Sequence, residues 1–165
     1  MSEFLEAFKK GINLALVSEN NKLEIKSVFE SISEEISEAL NHEIKISPYT
    51  FKRKKTAEET IVSIGRSAST EVTYEGIAFQ IVTKDPNLQS YELINDPPLL
   101  LAYWEDSETG YPCAIKAAFS KFICNNLEDL NEALKQLISD PIIGIKIFEL
   151  LKKHQLNYRL NDIEN

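Results

Sequence analysis

The sequence predicts an α+β domain with two N-terminal helices, an antiparallel sheet of about five or six strands, and two C-terminal helices packed on one face. Apolar residues recur at helical spacing in residues 3–41, alternate as in strands from 44 to 119, and return to helical spacing after Asn126. A run of strands flanked by helices favours an antiparallel sheet over a doubly wound fold. We expect residues 1–165 to form one domain, because a chain of 165 residues can bury a sufficient core.

The N-terminal region predicts two amphipathic helices. The first, residues 3–17, has a stripe expected to be buried that consists of Phe4, Leu5, Phe8, Ile12 and Leu16. Residues 18–20 are expected to break this helix. Asn21 and Glu24 then resemble a capping box, which predicts a second helix that ends at Asn41.

The central region predicts strands. Alternating β-branched residues indicate strands at 44–46, 61–64, 72–74 and 77–81, and a short strand at 88–94 between turns at 85–87 and 96–98. The alternation changes phase at Gly76, which fits either a hairpin turn or a β-bulge.

The clearest hairpin signal lies between Leu99 and Phe119. Leu99 to Trp104 is a continuous apolar run, Glu105 to Gly110 is a polar loop, and an alternating strand returns from Cys113 to Phe119.

Two helices are predicted after the sheet. Asn126 can cap the third helix, and Asp140 followed by Pro141 can cap a fourth that runs to about His154. The fourth helix is apolar around much of its circumference, which predicts burial on more than one side. A homodimer through residues 141–154 is the alternative, and the polar tail from about residue 157 is expected to fray.

Charge and composition exclude several functional classes. With a net charge of −8 and one basic run, Lys52 to Lys55, the chain is not expected to bind duplex nucleic acid. This run is expected to be a solvated loop or a partner to the acidic helices. No apolar stretch is long enough to predict a membrane span or an export signal. Two cysteines favour a reducing, cytoplasmic compartment.

No motif predicts catalysis, a cofactor or a metal. The five glycines are scattered, so a phosphate-binding loop is not expected, and the two cysteines and two histidines form no zinc-binding pattern. Cys113 is expected to serve as a small apolar residue. An enzyme remains an alternative that requires a cleft near His42, Arg66 or Cys113.

The most informative feature is an acidic segment with aromatic residues. Its carboxylates are Glu92, Asp96, Glu105, Asp106 and Glu108, and its aromatic residues include Tyr103, Trp104 and Tyr111. Aromatic rings supply contact area and carboxylates steer a cationic partner, so the segment predicts binding to a basic protein.

We expect the three aromatic residues to be anchors and Glu105, Asp106 and Glu108 to be steering charges, although Trp104 could instead fill the core. In size and charge the chain is similar to acidic inhibitors of cationic toxins, such as bacterial immunity proteins and antitoxins, which would mask a basic surface. A dimeric chaperone or adaptor is the alternative protein-binding function.

Overall fold

The computed structural model describes residues 2–62, 69–84, 91–93 and 97–154. Its helices are α1 (Glu3–Leu40), α2 (Ala57–Val62), α3 (Leu127–Ser139) and α4 (Pro141–Lys153). Its strands are β1 (Glu43–Lys54), β2 (Glu71–Lys84), β3 (Tyr91–Leu93), β4 (Leu99–Glu105), β5 (Cys113–Lys116) and β6 (Lys121–Cys124). The α+β class is confirmed, and all strand pairs are antiparallel.

The two predicted N-terminal helices are one continuous helix, so the break at residues 18–20 is wrong. Ser18 turns its hydroxyl back to donate to the carbonyl of Leu14, which leaves the helix uninterrupted. The predicted capping box is also wrong, because the Asn21 side chain donates to the carbonyl of Thr109 and Glu24 accepts from Tyr111. The predicted end of the helix is confirmed by Asn41, whose φ of 53° is left-handed.

The stripe of the first predicted helix is exposed rather than buried. All residues from 2 to 17 are exposed, and the buried residues of α1 are Ile25, Val28 and Phe29. The stripe remains open because the unbroken helix carries it past the sheet instead of folding it back.

The outer edge of β1 is satisfied by two serines of α1. Ser33 Oγ accepts from the Ile46 amide at 2.9 Å, and its own hydroxyl donates to the Phe29 carbonyl of α1 at 2.7 Å. The Ile46 carbonyl oxygen lies farther away, at 3.1 Å. Ser37 Oγ likewise accepts from the Ile44 amide at 2.9 Å and donates to the Ser33 carbonyl at 2.6 Å, with the Ile44 carbonyl oxygen at 3.2 Å. An edge strand otherwise presents unpaired backbone groups to solvent, so the two hydroxyls bind α1 to the sheet.

The predicted strand at 61–64 is wrong where the structure describes it. Ile61 and Val62 belong to α2, which begins with a capping box: the Glu59 amide donates to Thr56 Oγ1, and the Thr56 amide donates to Glu59. Ile64 lies outside the described residues.

The sheet has the order β1-β2-β4-β5-β6, and β3 pairs with β2 beyond the end of β4. Gly76 lies within the continuous strand β2, so it is not a hairpin turn. The predicted bulge at Gly76 is also wrong, because β2 pairs with β1 without interruption through this residue. A register shift between β2 and β4 lies between Ile77 and Ala78, and its extra residue is Leu101 of β4. The short predicted strand at 88–94 is present as β3, whereas the turn at 85–87 lies outside the described residues.

The predicted hairpin is confirmed from Leu99 to Lys116, but its return strand is shorter than expected. β5 ends at Lys116, and the Ala117 amide donates to the Ser120 carbonyl across a tight turn that leads into β6. Phe119 lies in that turn and is 90% exposed. Phe119 is therefore not part of the return strand that the alternation predicts.

The C-terminal helices begin where the caps predict. Asn126 accepts from the Asp129 amide, and Asp140 accepts from the amides of Ile142 and Ile143. The expected burial of α4 on more than one side is wrong, because Ile143 and Leu151 are buried while Ile142 and Ile145 are exposed. The tail from residue 157 lies outside the described residues.

One core joins the sheet to α1, α3 and α4. Its fully buried side chains include Ile46, Phe79 and Ile115 of the sheet and Leu134 and Leu137 of α3. Among the described residues, none of the helices is long and apolar enough to cross a membrane.

Candidate functional site

The strand β4 divides the predicted anchors between the two faces of the sheet. Trp104 is 6% exposed and its ring meets that of Phe29 in α1 edge to face, with centroids 5.6 Å apart. Successive residues of a strand point to opposite faces. Tyr103 and Glu105 therefore lie on the face that is turned away from α1, which we call the open face.

Tyr103 belongs to a row of aromatic rings on the open face, which we call the tyrosine row: Tyr49, Phe51, Tyr74 and Tyr103. The centroids of Tyr103 and Tyr74 are 5.5 Å apart, those of Tyr74 and Phe51 are 5.5 Å apart, and those of Phe51 and Tyr49 are 4.9 Å apart. The row crosses β1, β2 and β4.

The tyrosine row is both supported and accessible. Phe51 is buried at its centre, whereas Tyr103 is 51% exposed and Tyr49 is 37% exposed. Gly76 lies opposite both Tyr49 and Tyr103 in the strand register, and the side chains of Leu100 and Phe51 fill the space above it. The partners of Tyr103 were missed from the sequence, and alternation at 49, 51 and 74 was the available signal.

Glu105 follows Tyr103 on the open face and is held by two lysines. Its carboxylate forms ion pairs with Lys116 and with Lys121, the latter at 3.3 Å. The hydrogen bond from Lys116, and then that from Lys121, lower the pKa of Glu105 below its ordinary value. Part of the predicted steering charge is thus neutralised within the protein.

The loop after β4 holds the other two predicted carboxylates, Asp106 and Glu108, and both residues are exposed. The loop is fastened to α1 at its far side. The Asn21 side chain donates to the Thr109 carbonyl at 2.9 Å, and the Tyr111 hydroxyl donates to Glu24 at 3.0 Å. Burial, followed by the bond to Glu24, raises the pKa of Tyr111. Of the other predicted acids, Asp96 and the side chain of Glu92 lie outside the described part of the chain.

A cleft of about 510 Å³ separates α1 from β1 and the loop after β4. Ile25, Phe29 and Trp104 line it, and Lys26 and Asp106 are among its charged residues. The side chains from the two walls include cations and anions, so the cleft does not select a ligand by charge.

The basic run at the end of β1 is partly paired. Arg53 forms a two-pronged ion pair with Glu59, with distances of 2.8 and 2.7 Å. The hydrogen bond from Arg53 lowers the pKa of Glu59 to about 2. The expectation of a loop at Lys52 to Lys55 is wrong for its first three residues, which continue β1.

The two cysteines considered as nucleophiles, Cys113 and Cys124, are buried. Cys113 and Cys124 face each other across β5 and β6, and burial raises the pKa of Cys113 to about 12. Thiols in this state are poor nucleophiles at neutral pH. Within residues 2–62, 69–84, 91–93 and 97–154, no three His, Cys, Asp or Glu side chains form a group that could hold a metal ion. Arg66 lies outside these ranges.

No protein-family model matches the chain, and the comparisons with curated proteins and with solved structures give no significant match.

Proposed function

We propose that this protein binds a basic protein partner through the open face of its sheet and masks the partner's surface, as an inhibitor of the immunity-protein or antitoxin kind does. The observation that carries the proposal is the tyrosine row with Tyr103 half exposed within it. Tyrosine is enriched at binding hot spots because it offers a large rigid ring with a polar end.

The chemistry of the tyrosine row suits cationic side chains. The face of an aromatic ring carries negative charge density and attracts the guanidinium of arginine or the ammonium of lysine. Two of the protein's own cations are already paired: Arg53 of β1 with Glu59, and Lys116, which lies opposite Tyr103 in the strand register, with Glu105. This pairing limits their repulsion of such a partner.

The remaining predicted residues fit this proposal in different roles. Asp106 and Glu108 supply steering charges at the end of β4, and Glu105 adds to them only in part because Lys116 and Lys121 pair with it. Trp104 and Tyr111 position the binding surface rather than contact the partner, because their contacts with Phe29 and Glu24 hold β4 and its loop against α1.

Affinity capture with matched baits tests the proposal. Baits would be the native chain, Tyr103→Ala and Phe119→Ala, each incubated with lysate of the source organism, with retained proteins quantified by mass spectrometry. Phe119 is a suitable control because it is an exposed aromatic residue outside the tyrosine row. We expect the native chain to retain one basic protein. Tyr103→Ala should bind this protein about 2 kcal/mol less tightly, as for a hot-spot aromatic residue, and Phe119→Ala should bind it as the native chain does. Equal retention by all three baits would contradict the proposal.

A charge-reversal pair tests steering separately. Reversal of Asp106 and Glu108 to lysine should slow association at low salt, whereas the same reversal of Glu128 and Glu132 on α3 should slow it less. Equal slowing by both pairs would assign the effect to net charge rather than to the loop.

A dimeric adaptor is the second candidate, favoured by the exposure of Ile142 and Ile145 on α4. It predicts that Ile145→Glu converts a dimer to a monomer, which sedimentation would detect.

A further inference from the structure

We propose that the first part of α1, residues 3–20, pairs antiparallel with the same segment of a second copy of this chain. We call this segment the arm. The proposal rests on the arm alone and is independent of the tyrosine row.

The arm leaves the body of the protein at Asn21, whose side chain makes the contact to Thr109. Every residue from 2 to 17 is exposed, and no arm residue belongs to the core formed by the described residues. Phe4 is 87% exposed and Phe8 is 66% exposed. Exposed apolar patches of this extent mark interaction surfaces, because soluble proteins rarely leave them open.

The stripe has a shape that can pair with itself. Phe4, Phe8, Ile12 and Leu16 are four residues apart, so they form a single ridge that slants across the helix. A two-fold axis near residue 10 places Phe8 opposite Ile12 of the second copy and Phe4 opposite Leu16 of the second copy. Each large aromatic side chain then meets a smaller aliphatic one.

Small residues beside this ridge allow a second helix to approach closely. Ala7, Gly11 and Ala15 repeat at the same spacing of four, and a Cβ built on Gly11 would meet nothing within 4 Å. At about 3.6 residues per turn, Glu6 and Lys10 lie on the opposite side of the helix. Pairing through the ridge therefore leaves these charges in water.

The stripe supplies more than half of the area that a standard dimer interface buries on each partner. Together with Leu5, the four ridge residues expose on the order of 500 Å² of side chain, given that a buried aromatic ring contributes about 150–250 Å². A standard interface buries about 800 Å² per partner, and the flanking arm residues extend the contact toward this value.

The antiparallel direction follows from the end at which the arm joins the body of the protein. Because the body is attached at the C-terminal end of the arm, an antiparallel pair places the two bodies at opposite ends. A parallel pair would require the two bodies to lie side by side. The opposed directions also align the helix dipoles favourably.

Sedimentation equilibrium of the full chain over a hundredfold range of concentration tests the pairing. The variants are Phe8→Glu on the stripe, Asn13→Glu on the polar side of the arm, and Ile145→Glu on α4. Each of the three adds one negative charge at an exposed position. Because Phe8 lies outside the core, Phe8→Glu should keep the native fluorescence of the buried Trp104.

We expect the native chain, Asn13→Glu and Ile145→Glu to approach twice the monomer mass of 18.8 kDa as concentration rises. Phe8→Glu should remain a monomer, with its dissociation constant raised at least tenfold. A native chain that is monomeric throughout would overturn the proposal, as would a dimer that persists in Phe8→Glu or is lost in Ile145→Glu.

Disulfide trapping tests the direction of the pair. An equal mixture of Phe8→Cys and Ile12→Cys should form the mixed disulfide faster than either variant forms its own. Faster trapping of Phe8→Cys with itself would overturn the antiparallel register.

Discussion

The ring of Trp104 meets that of Phe29 at an interplanar angle of 82°, with centroids 5.6 Å apart. This contact joins β4 to α1 and fixes which side of the strand faces the helix. Because Tyr103 is the preceding residue, its ring must lie on the open face, where it completes the tyrosine row. A core contact thus determines the orientation of the candidate binding surface.

Replacement of Trp104 should unfold the protein more readily rather than remove one binding contact. We expect Trp104→Ala to lower the free energy of unfolding by about 3–5 kcal/mol, because it leaves a large cavity beside Phe29. Chemical denaturation measures this loss. Tyr103→Ala removes an exposed ring and should lower the free energy of unfolding by much less, so equal losses would contradict the division of roles.

Ser33 of α1, which bonds to the outer edge of β1, offers a test of how the helix is attached to the sheet. Ser33→Ala removes the hydroxyl oxygen that accepts from the Ile46 amide. We expect a loss of about 1–3 kcal/mol in the free energy of unfolding, since this amide would lose its partner. Ser27→Ala, at an exposed position of the same helix, is the control and should change stability little. An equal effect of both substitutions would show that the edge contact contributes nothing.

Gly76 should not tolerate a side chain. A Cβ at this position would lie 3.0 Å from a ring carbon of Phe51 and 3.1 Å from the Ala102 carbonyl oxygen, and it would also displace Leu100. We expect Gly76→Ala to cost about 1–3 kcal/mol in the free energy of unfolding.

Gly144→Ala is the matched control for that substitution. No atom lies within 4 Å of its built Cβ, and it sits within α4, so alanine should stabilise the protein by about 0.5–1 kcal/mol. Thermal unfolding of the two variants should shift in opposite directions. A shift in the same direction would contradict the close approach of β2 and β4.

The ion pair between Arg53 and Glu59 predicts a pH dependence of stability. The pKa of Glu59 is lowered from 4.5 to about 2, so the folded state favours the carboxylate. Its contribution to the free energy of unfolding should be present above pH 4.5 and lost as pH falls toward about 2.

Glu59→Gln provides the comparison for this dependence. The native chain should melt at a higher temperature than the variant near neutral pH, and the difference should shrink below pH 4.5. The effect should be small because both groups are exposed to solvent. A difference that grows on acidification would contradict the assigned sign.

The parts of the fold that depend on local chemistry could be predicted from the sequence. Asn126 and Asp140 cap their helices by accepting from amides two or three residues away. The capping residue and the amides that it binds therefore lie in the same short stretch of sequence. The same local reasoning failed at Asn21, because its side chain bonds to Thr109, a residue 88 positions distant. Only the assembled fold supplies that partner.

The candidate surface was predicted in part. Exposed Tyr103, Asp106 and Glu108 were among the selected residues, but the neighbours of Tyr103 depend on the strand register. Tyr74 reaches the row because it pairs with Phe51, and the sequence does not fix which residues of two strands face each other. Because successive strand residues point to opposite faces, Trp104 and Tyr103 lie on different faces of β4. The composition of the acidic segment does not show this division.

Site-specific photo-crosslinking would show whether the side chain at position 103 contacts a partner. A photoreactive phenylalanine analogue would replace Tyr103 in one version of the chain and Phe119 in another, and both would be irradiated in cells of the source organism. We expect position 103 to crosslink to one basic protein, in a yield that excess unlabelled native protein reduces, and position 119 to give no such crosslink. Absence of a crosslink at position 103, or the same products from both positions, would contradict binding through the open face.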